Sequence, residues 1–182
     1  MTALPSQKLT VDEFLVWAEG RPGRYELYSG TVYAMAPERA GHADVKFAVQ
    51  TELARAIKAG KVACHMLPDG MTVRVDKDKA HEPDALVYCG AKVSRNVTEI
   101  PNPTIVVEVL SPSTRHIDAS AKLIGYFRLP SVHHYLIVDP DGPPVLHHAR
   151  QTDGNILTRI VPSGRVTLDP PGIEIDVAAF FP

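Results

Sequence analysis

The chain has 182 residues, of which 45% are hydrophobic and 22% are charged, and its formal net charge at pH 7 is −2. This length supports one domain with a substantial hydrophobic core, so we expect a single domain over residues 1–182. The near-neutral balance excludes a global basic field that attracts nucleic acid without specificity. Any nucleic-acid site must therefore be local.

The sequence carries no pattern of a membrane or secreted protein. No apolar run approaches the ~20 residues of a membrane span, and Met1–Pro5 lacks the basic start and apolar core of a secretion signal. Cys64 and Cys89 lie in apolar segments without C-x-x-C spacing, which favours buried, reduced thiols. Because reduced thiols are typical of a reducing compartment, we expect a soluble, cytoplasmic protein.

The first elements are predicted to be a short helix and a hairpin. Thr10–Glu13 has the form of a capping box, and the apolar stripe that follows predicts a helix ending at residue 18 or 19. Arg24–Tyr28 and Thr31–Met35 are separated by Ser29-Gly30, which predicts two strands joined by a two-residue turn.

A longer helix and a second pair of strands are predicted next. Apolar residues recur every four positions between His42 and Ala59, which indicates an amphipathic helix that ends at Gly60. Val62–Leu67 and Met71–Val75 flank a Pro-Asp-Gly turn, and this predicts a second strand, turn and strand unit.

The second half of the chain predicts a parallel pair of strands. Ala85–Cys89 and Thr104–Leu110 are apolar runs typical of buried strands, residues 117–127 have helical spacing that ends before Pro130, and Tyr135–Val138 is another strand. Strand, helix and strand in this order indicate a crossover that makes the two strands parallel. Further peripheral strands are predicted at 145–148, 156–161 and 173–177.

Two carboxylates interrupt these apolar runs. Glu108 lies near the middle of a predicted buried strand, and Asp84 follows Pro83 at the mouth of a neighbouring one. An ionised carboxylate removed from water costs several kcal/mol unless it is paired, hydrogen-bonded or bound to a metal. Two acids at adjacent strand ends therefore indicate a cation site.

Several short motifs, in this order, resemble the Uma-type branch of the PD-(D/E)XK nuclease superfamily, whose members are labelled restriction endonucleases. The similarity covers most of the chain, and it is carried by Arg24-Tyr-Glu-Leu27, Pro83-Asp84, Val106–Thr114, Lys122-Leu123 and Tyr135–Pro140. The resemblance implies an α/β fold with a restriction-endonuclease-like mixed central sheet flanked by helices. It also implies metal-dependent hydrolysis of phosphodiester bonds by a DNA endonuclease that uses Mg²⁺ or Mn²⁺. Family analogy and the frequency of symmetric oligomers favour a homodimer.

The same resemblance assigns roles to individual residues. Asp84, Glu108 and the backbone carbonyl of Val109 would hold the metal, and oxygen ligands of this kind suit Mg²⁺ or Mn²⁺. The superfamily places a lysine two residues after the glutamate, but that position is Leu110. The family lysine aligns with Lys122 in the following helix, where it would position or deprotonate water or stabilise charge on the phosphate.

Two further residues match the family pattern near this cluster. Glu26 would hold the metal or orient a water molecule, and together with Asp84, Glu108 and Lys122 it completes the predicted catalytic set. His42 begins the long helix and matches a family histidine that would contact substrate phosphate. For DNA binding we expect a local basic patch, formed by Arg39, Lys46, Arg55, Arg115, Lys122 and Arg128.

Each of these residues also has an alternative interpretation in which it takes no part in catalysis or binding. Glu108 could pair with an arginine on an edge strand, Asp84 could be an ordinary turn residue, and Glu26 could face solvent in its hairpin. Lys122 follows Asp118 by four residues and could form a surface ion pair with it. His42 could be a plain helix-start histidine.

The competing function is a catalytically inactive member of the same fold. Leu110 stands where the superfamily lysine is expected, so the acids could persist in a binding or assembly module that no longer hydrolyses its ligand. Metal binding would not separate the two functions, because carboxylate clusters bind cations without catalysis. Turnover of a phosphodiester would separate them.

Overall fold

The computed structural model describes residues 2–3, 7–111 and 118–181, and of residues 2, 3, 118 and 119 it describes only the backbone. Arg115 of the predicted basic patch and Ile117 of the predicted helix lie outside the described residues. The helices are α1 (Val11–Ala18), α2 (Ala40–Gly60), α3 (Asp118–Phe127) and a final 3-10 turn, Val177–Phe180. The strands are β1 (Thr2–Ala3), β2 (Tyr25–Tyr28), β3 (Thr31–Ala34), β4 (Cys64–Pro68), β5 (Val73–Asp76), β6 (Lys79–His81), β7 (Ala85–Cys89), β8 (Pro103–Val109), β9 (His134–Val138), β10 (Val145–Arg150), β11 (Ile156–Val161), β12 (Arg165–Leu168) and β13 (Ile173–Asp176).

A six-stranded mixed sheet forms the centre of the fold, in the order β11-β10-β9-β8-β7-β4. β8 and β9 are parallel, whereas the other neighbours in this sheet pair antiparallel. α3 lies between β8 and β9 in the chain, so the predicted crossover is confirmed. The predicted fold class, a mixed central sheet flanked by helices, is also confirmed.

Alternate residues of β8 face two different hydrophobic layers. Val107 and Val109 pack into the layer formed with α2, whereas Val106 packs into the layer formed with α3. Because side chains alternate along a strand, Glu108 faces α3. The end of β8 therefore presents the Glu108 side chain to α3, while Val107 and Val109 face α2.

The second sheet has the order β1-β3-β2-β6-β5 and brings the first hairpin to the central sheet. The predicted hairpin is confirmed, with Leu27 opposite Val32 across β2 and β3. Leu27 also lies opposite Ala80 of β6, a short strand within a polar run where no strand was predicted. Through this pairing β2 carries Glu26 to the edge of the central layer.

The prediction of a second strand, turn and strand unit is wrong in its pairing. β4 pairs with β7 in the central sheet, whereas β5 pairs with β6 in the second sheet. Gly70 has a positive φ of 98° in the connecting turn, a conformation that glycine adopts without strain. The turn residues were recognised, but they carry the chain from one sheet to the other.

The predicted helices are observed with small changes at their ends. α1 begins with the reciprocal Thr10–Glu13 capping box. α2 ends at Gly60, as predicted, and its left-handed cap is Lys61, with φ of 50°. The peripheral strands β10, β11 and β13 are observed, and β12, which was not predicted, pairs with β13.

The prediction of two reduced thiols is wrong, because Cys64 and Cys89 form a disulfide with an S–S distance of 2.03 Å. The two residues are directly opposite in the antiparallel pair β4 and β7, which brings their side chains together. Cys64 is buried, but Cys89 is exposed. The argument from reduced thiols to a cytoplasmic location therefore fails. Among the described helices, none is both long and apolar enough to cross a membrane.

Candidate metal centre and active site

Glu108 is held at both of its carboxylate oxygens by residues of α3. Lys122 Nζ lies 2.9 Å from Oε2, and the Tyr126 hydroxyl donates to Oε1 at 2.6 Å. Lys122 and Tyr126 are four residues apart, so they lie on the same face of α3. Glu108 is only 9% exposed, and its partner is a lysine rather than the arginine of the alternative interpretation.

Lys122 joins two acids that come from different sheets. Its Nζ lies 3.0 Å from Glu26 Oε1 as well as 2.9 Å from Glu108. Glu26 is fully buried and accepts further hydrogen bonds from the Tyr28 hydroxyl at 3.0 Å and from the Glu82 backbone N–H at 2.9 Å. Lys122 is itself 4% exposed, so the alternative of a surface ion pair does not describe it, and Glu26 does not face solvent.

Asp84 is fixed at the start of β7 by the neighbouring strand β8. Its Oδ2 accepts from the Val109 backbone N–H at 2.8 Å, and its own N–H donates to the Val107 carbonyl at 3.0 Å. Gln50 of α2 donates to the Asp84 carbonyl at 2.8 Å. The pairing of β7 with β8 therefore places the Asp84 carboxylate beside the end of the Glu108 strand.

His42 approaches the same strand end from α2. Its Nε2 donates to the Val109 carbonyl at 2.9 Å and lies 3.8 Å from Asp84 Oδ2. Its Nδ1 lies 3.8 Å from Glu38 Oε2, and this buried nitrogen has no hydrogen-bond partner among the described residues. His42 is thus placed between two carboxylates, rather than being a plain helix-start histidine.

The residues around His42 fit a divalent cation. Glu38, His42 and Asp84 each offer a ligand atom, and these atoms lie within 4.8 Å of one another. Ligands on opposite sides of Mg²⁺ are about 4.2 Å apart, so small side-chain movements would bring all three into coordination. The Val109 carbonyl, 2.9 Å from His42 Nε2, offers a further oxygen ligand.

The pKa values of the buried groups follow from burial and from the Lys122 charge. Burial raises the pKa of Glu108 to about 8, although the Lys122 ammonium opposes this shift. Burial also raises the pKa of Asp84. Burial acts to raise the pKa of Glu26, but Lys122, His81 and the Glu82 backbone N–H together outweigh it, and the pKa lies below its ordinary value. For Lys122, the two glutamates outweigh burial and raise the pKa well above its ordinary value. The site therefore combines a charged lysine with a glutamate that binds a proton near neutral pH.

Two further cations form ion pairs at the rim of the site. Arg24 Nη1 lies 2.7 Å from Glu38 Oε1 and 2.8 Å from Asp69 Oδ2, and its Nε lies 2.6 Å from Glu82 Oε1. Lys46 Nζ contacts Glu38 Oε1 and lies 3.0 Å from Asp69 Oδ2. Both cations are therefore neutralised by acids in the free protein.

The predicted basic patch is not observed as such. Lys46 and Lys122 lie at the site, where both are buried and paired with acids. Arg55 pairs with Glu52, and Arg128 pairs with Asp76, both outside the site. The described part of the chain therefore offers no continuous patch of unpaired cations built from these residues.

The structure brings all of the predicted site residues together and adds others that sequence reasoning missed. Tyr126 follows Lys122 by four residues on α3, so helical spacing could have found it. Glu38 lies just before Arg39, the N-cap of α2, so no helical pattern marks it. Asp69 lies in the turn after β4, and no local pattern marks it as part of the site. It reaches Arg24 and Lys46 only because β4 and β5 belong to different sheets.

Comparison with known proteins places this geometry in a family. The chain is 25% identical over 179 residues to the uncharacterized protein slr1290 of Synechocystis sp. (strain ATCC 27184 / PCC 6803 / Kazusa), with 97% of this chain and 93% of that protein covered. The crystal structure of a "putative nuclease belonging to DUF820" from Anabaena variabilis ATCC 29413 has the same fold, with a TM-score of 0.73, 16% sequence identity, and coverage of 95% of this chain and 97% of that one. The family model Uma2, described as "putative restriction endonuclease", matches residues 11–179. The chain therefore belongs to the Uma2 family.

Proposed function

We propose that this protein hydrolyses phosphodiester bonds in DNA with the help of a divalent cation. The observation that carries the proposal is the strand end at which Glu108, held by Lys122 and Tyr126, adjoins the Asp84, Val109 and His42 group. A cation site next to a charged lysine and a proton-binding acid has the groups that phosphodiester hydrolysis needs. The family description and the fold of the Anabaena protein agree with this assignment.

The cation would be held by the Asp84 carboxylate, the Val109 carbonyl and the His42 imidazole, with Glu108 as the neighbouring acid. When bound, the cation neutralises charge on the phosphate and lowers the pKa of a water molecule. Oxygen ligands suit Mg²⁺ and Mn²⁺ alike, but an imidazole ligand favours the softer Mn²⁺. This assigns His42 to the cation, whereas the sequence suggested a contact with substrate phosphate.

Glu108 and Lys122 take different chemical roles in this proposal. Glu108, with a pKa of about 8, is suited to accept a proton from the attacking water. Lys122 has a pKa well above its ordinary value, so it stays charged at neutral pH and would stabilise negative charge on the reacting phosphate. Glu26 would then orient Lys122, which it contacts at 3.0 Å.

The alternative of a catalytically inactive module rests on Leu110, which leaves the superfamily lysine position empty. Lys122 Nζ, at 2.9 Å from Glu108, supplies an ammonium group from α3 instead. This contact favours the catalytic proposal over the binding module. The two differ in one observable, the turnover of a phosphodiester.

The test is cleavage of supercoiled, linear and single-stranded DNA at low salt, with Mg²⁺ or Mn²⁺, by wild type, Glu108→Gln and Lys122→Ala. We expect wild-type cleavage and a loss of about a thousandfold or more in both variants, since each removes a group that acts in the transition state. Glu174→Gln is the matched control, because Glu174 is exposed and pairs with Arg165 outside the site. Circular dichroism of each variant separates loss of chemistry from loss of fold.

Absence of wild-type turnover on every DNA substrate and metal would contradict the proposal and favour the binding module. RNA substrates in the same panel establish whether the sugar is selected. A homodimer and a cytoplasmic location also stay predictions. Light scattering on the purified protein tests the first, and expression of a fluorescent fusion tests the second.

A further inference from the structure

The two rim cations, Arg24 and Lys46, converge on the same acidic oxygens. Arg24 Nη1 and Lys46 Nζ both contact Glu38 Oε1, and both contact Asp69 Oδ2, at 2.8 and 3.0 Å respectively. Each of these oxygens is therefore held by a guanidinium and an ammonium group together. Phosphate oxygens are bound by the same combination of charge-assisted donors, so the two carboxylate oxygens mark positions that phosphate oxygens could take.

Arg24 has a donor that its acidic neighbours do not use. Its Nη2 is buried and has no hydrogen-bond partner among the described residues, although its Nε and Nη1 both contact acids. A buried donor without a partner is unfavourable, because its desolvation is not compensated. Nη2 is therefore a further donor for an anionic oxygen that takes the place of Glu38 and Asp69.

The position of this pair relates it to the proposed cation site. Lys46 follows His42 by four residues on α2, which is a rise of about 6 Å along the same helix face. Arg24 is close enough to Asp84 for the two charges to interact. An anionic group bound by the pair would consequently lie beside the cation held by Asp84 and His42.

We propose that Arg24 and Lys46 form a phosphate clamp, which binds a backbone phosphate of the nucleic acid next to the cleaved bond. Glu38 and Asp69 hold the two cations in place in the free protein, and the phosphate replaces them as partner when the substrate binds. The clamp contacts phosphate alone, so it binds without regard to base sequence. The proposal rests on the proposed function for its substrate, nucleic acid, but binding by the clamp does not require hydrolysis.

The test is binding of a short, fluorescein-labelled single-stranded DNA, followed by fluorescence anisotropy across a salt series, with Ca²⁺ as the divalent cation. We expect Arg24→Gln and Lys46→Gln each to raise Kd by about tenfold, as loss of one charge-assisted contact does. Each should also reduce the slope of log Kd against log salt by about 0.7, because one contact with a phosphate of the single strand is lost. A purely structural role would leave that slope unchanged.

A substitution that is expected to tighten DNA binding strengthens the test. Asp69→Asn removes an acid that competes with phosphate for both cations, so we expect DNA to bind about threefold more tightly. Arg165→Gln is the matched control: it also removes an arginine paired with a glutamate, but on β12, and Kd and slope should match wild type. If Arg24→Gln does not fold, Lys46→Gln carries the test, with melting temperature as the check.

The outcomes separate the clamp from the proposed hydrolysis. Weaker binding and a smaller slope in the clamp variants support the clamp, even if wild type cleaves no DNA and the hydrolysis proposal fails. Unchanged Kd and slope in folded variants overturn the clamp, even if wild type cleaves DNA. Wild-type protein that binds no DNA at low salt also overturns it.

Discussion

The site consists of two clusters that differ in how completely the fold provides partners for their polar groups. The inner cluster comprises Glu26, Glu108, Lys122 and Tyr126, and the outer cluster comprises Arg24, Glu38, His42, Lys46 and Asp69. The inner cluster is buried, and Lys122 and two tyrosines occupy its carboxylates. The outer cluster is more open, with side-chain exposures of 28% and 29% for Arg24 and Glu38, and it contains two buried nitrogens without partners among the described residues.

This difference indicates which part is fixed by the fold and which part has capacity for ligands. Charges in a buried, fully paired group stabilise each other, and removing one partner leaves an uncompensated charge. Partly exposed ion pairs contribute little to stability and are exchanged readily for other partners. Substitutions in the inner cluster should therefore act on stability and chemistry together, whereas those in the outer cluster should act on binding.

The largest effect is expected from Lys122→Met. The substitution leaves the charged carboxylate of Glu26 buried without the Lys122 ammonium, so we expect a loss of about 3–5 kcal/mol in the free energy of unfolding. Urea denaturation at pH 7 measures it. The double variant Lys122→Met with Glu26→Gln should recover part of the loss, because the uncompensated charge of Glu26 is then removed. A loss below about 1 kcal/mol in the single variant would contradict the description of the inner cluster as a closed charge network.

A strong pH dependence of cation binding is expected from Glu108. Its pKa is raised to about 8, so below that pH it carries a proton in the metal-free protein, and the charge of a cation bound beside it would release that proton. The affinity for Mn²⁺ should therefore rise by about tenfold per pH unit between pH 6 and 8, and level off above. Isothermal titration calorimetry in buffers of different ionisation enthalpy measures both the affinity and the released proton. Glu108→Gln should bind Mn²⁺ more weakly and without this rise, and the same slope in that variant would rule out Glu108 as the source.

Tyr126→Phe should destabilise the protein less than Lys122→Met and should also shift the pH profile of Mn²⁺ binding. It removes the 2.6 Å hydrogen bond to Glu108, and hydrogen bonds to charged groups contribute about 1.5–3 kcal/mol. Because this bond favours the charged carboxylate, its loss should raise the Glu108 pKa further and move the Mn²⁺ binding profile to higher pH. Tyr25→Phe is the matched control, since the Tyr25 hydroxyl donates to the Pro22 carbonyl rather than to an acid. A profile that does not move would show that Tyr126 only packs.

The smallest effect on stability is expected from Glu38→Gln in the outer cluster. Glu38 forms partly exposed ion pairs with Arg24 and Lys46, so we expect a change of about 1 kcal/mol or less in the free energy of unfolding. Thermal melting compared with wild type measures it. A loss as large as that of Lys122→Met would remove the distinction between the two clusters.

Much of the local structure follows from the sequence. The capping box predicted α1, the spacing of apolar residues predicted α2, and the strand, helix and strand order predicted the parallel pair β8 and β9. These features depend on neighbouring residues, and local propensity and periodicity report them. The pairing of β5 with β6 and the disulfide between Cys64 and Cys89 were missed, because both depend on which distant strands lie side by side.

For the site, the sequence by itself determined three of the acids, Glu26, Asp84 and Glu108, and the presence of an unusual charge within β8. Burial of Glu108 in an apolar run requires a partner, and this holds whatever the fold. Only the tertiary structure decided what the partners are. Lys122 reaches Glu108 from a different element, and His42 reaches Val109 across 67 positions of the chain, because sheet register and helix packing bring distant residues together.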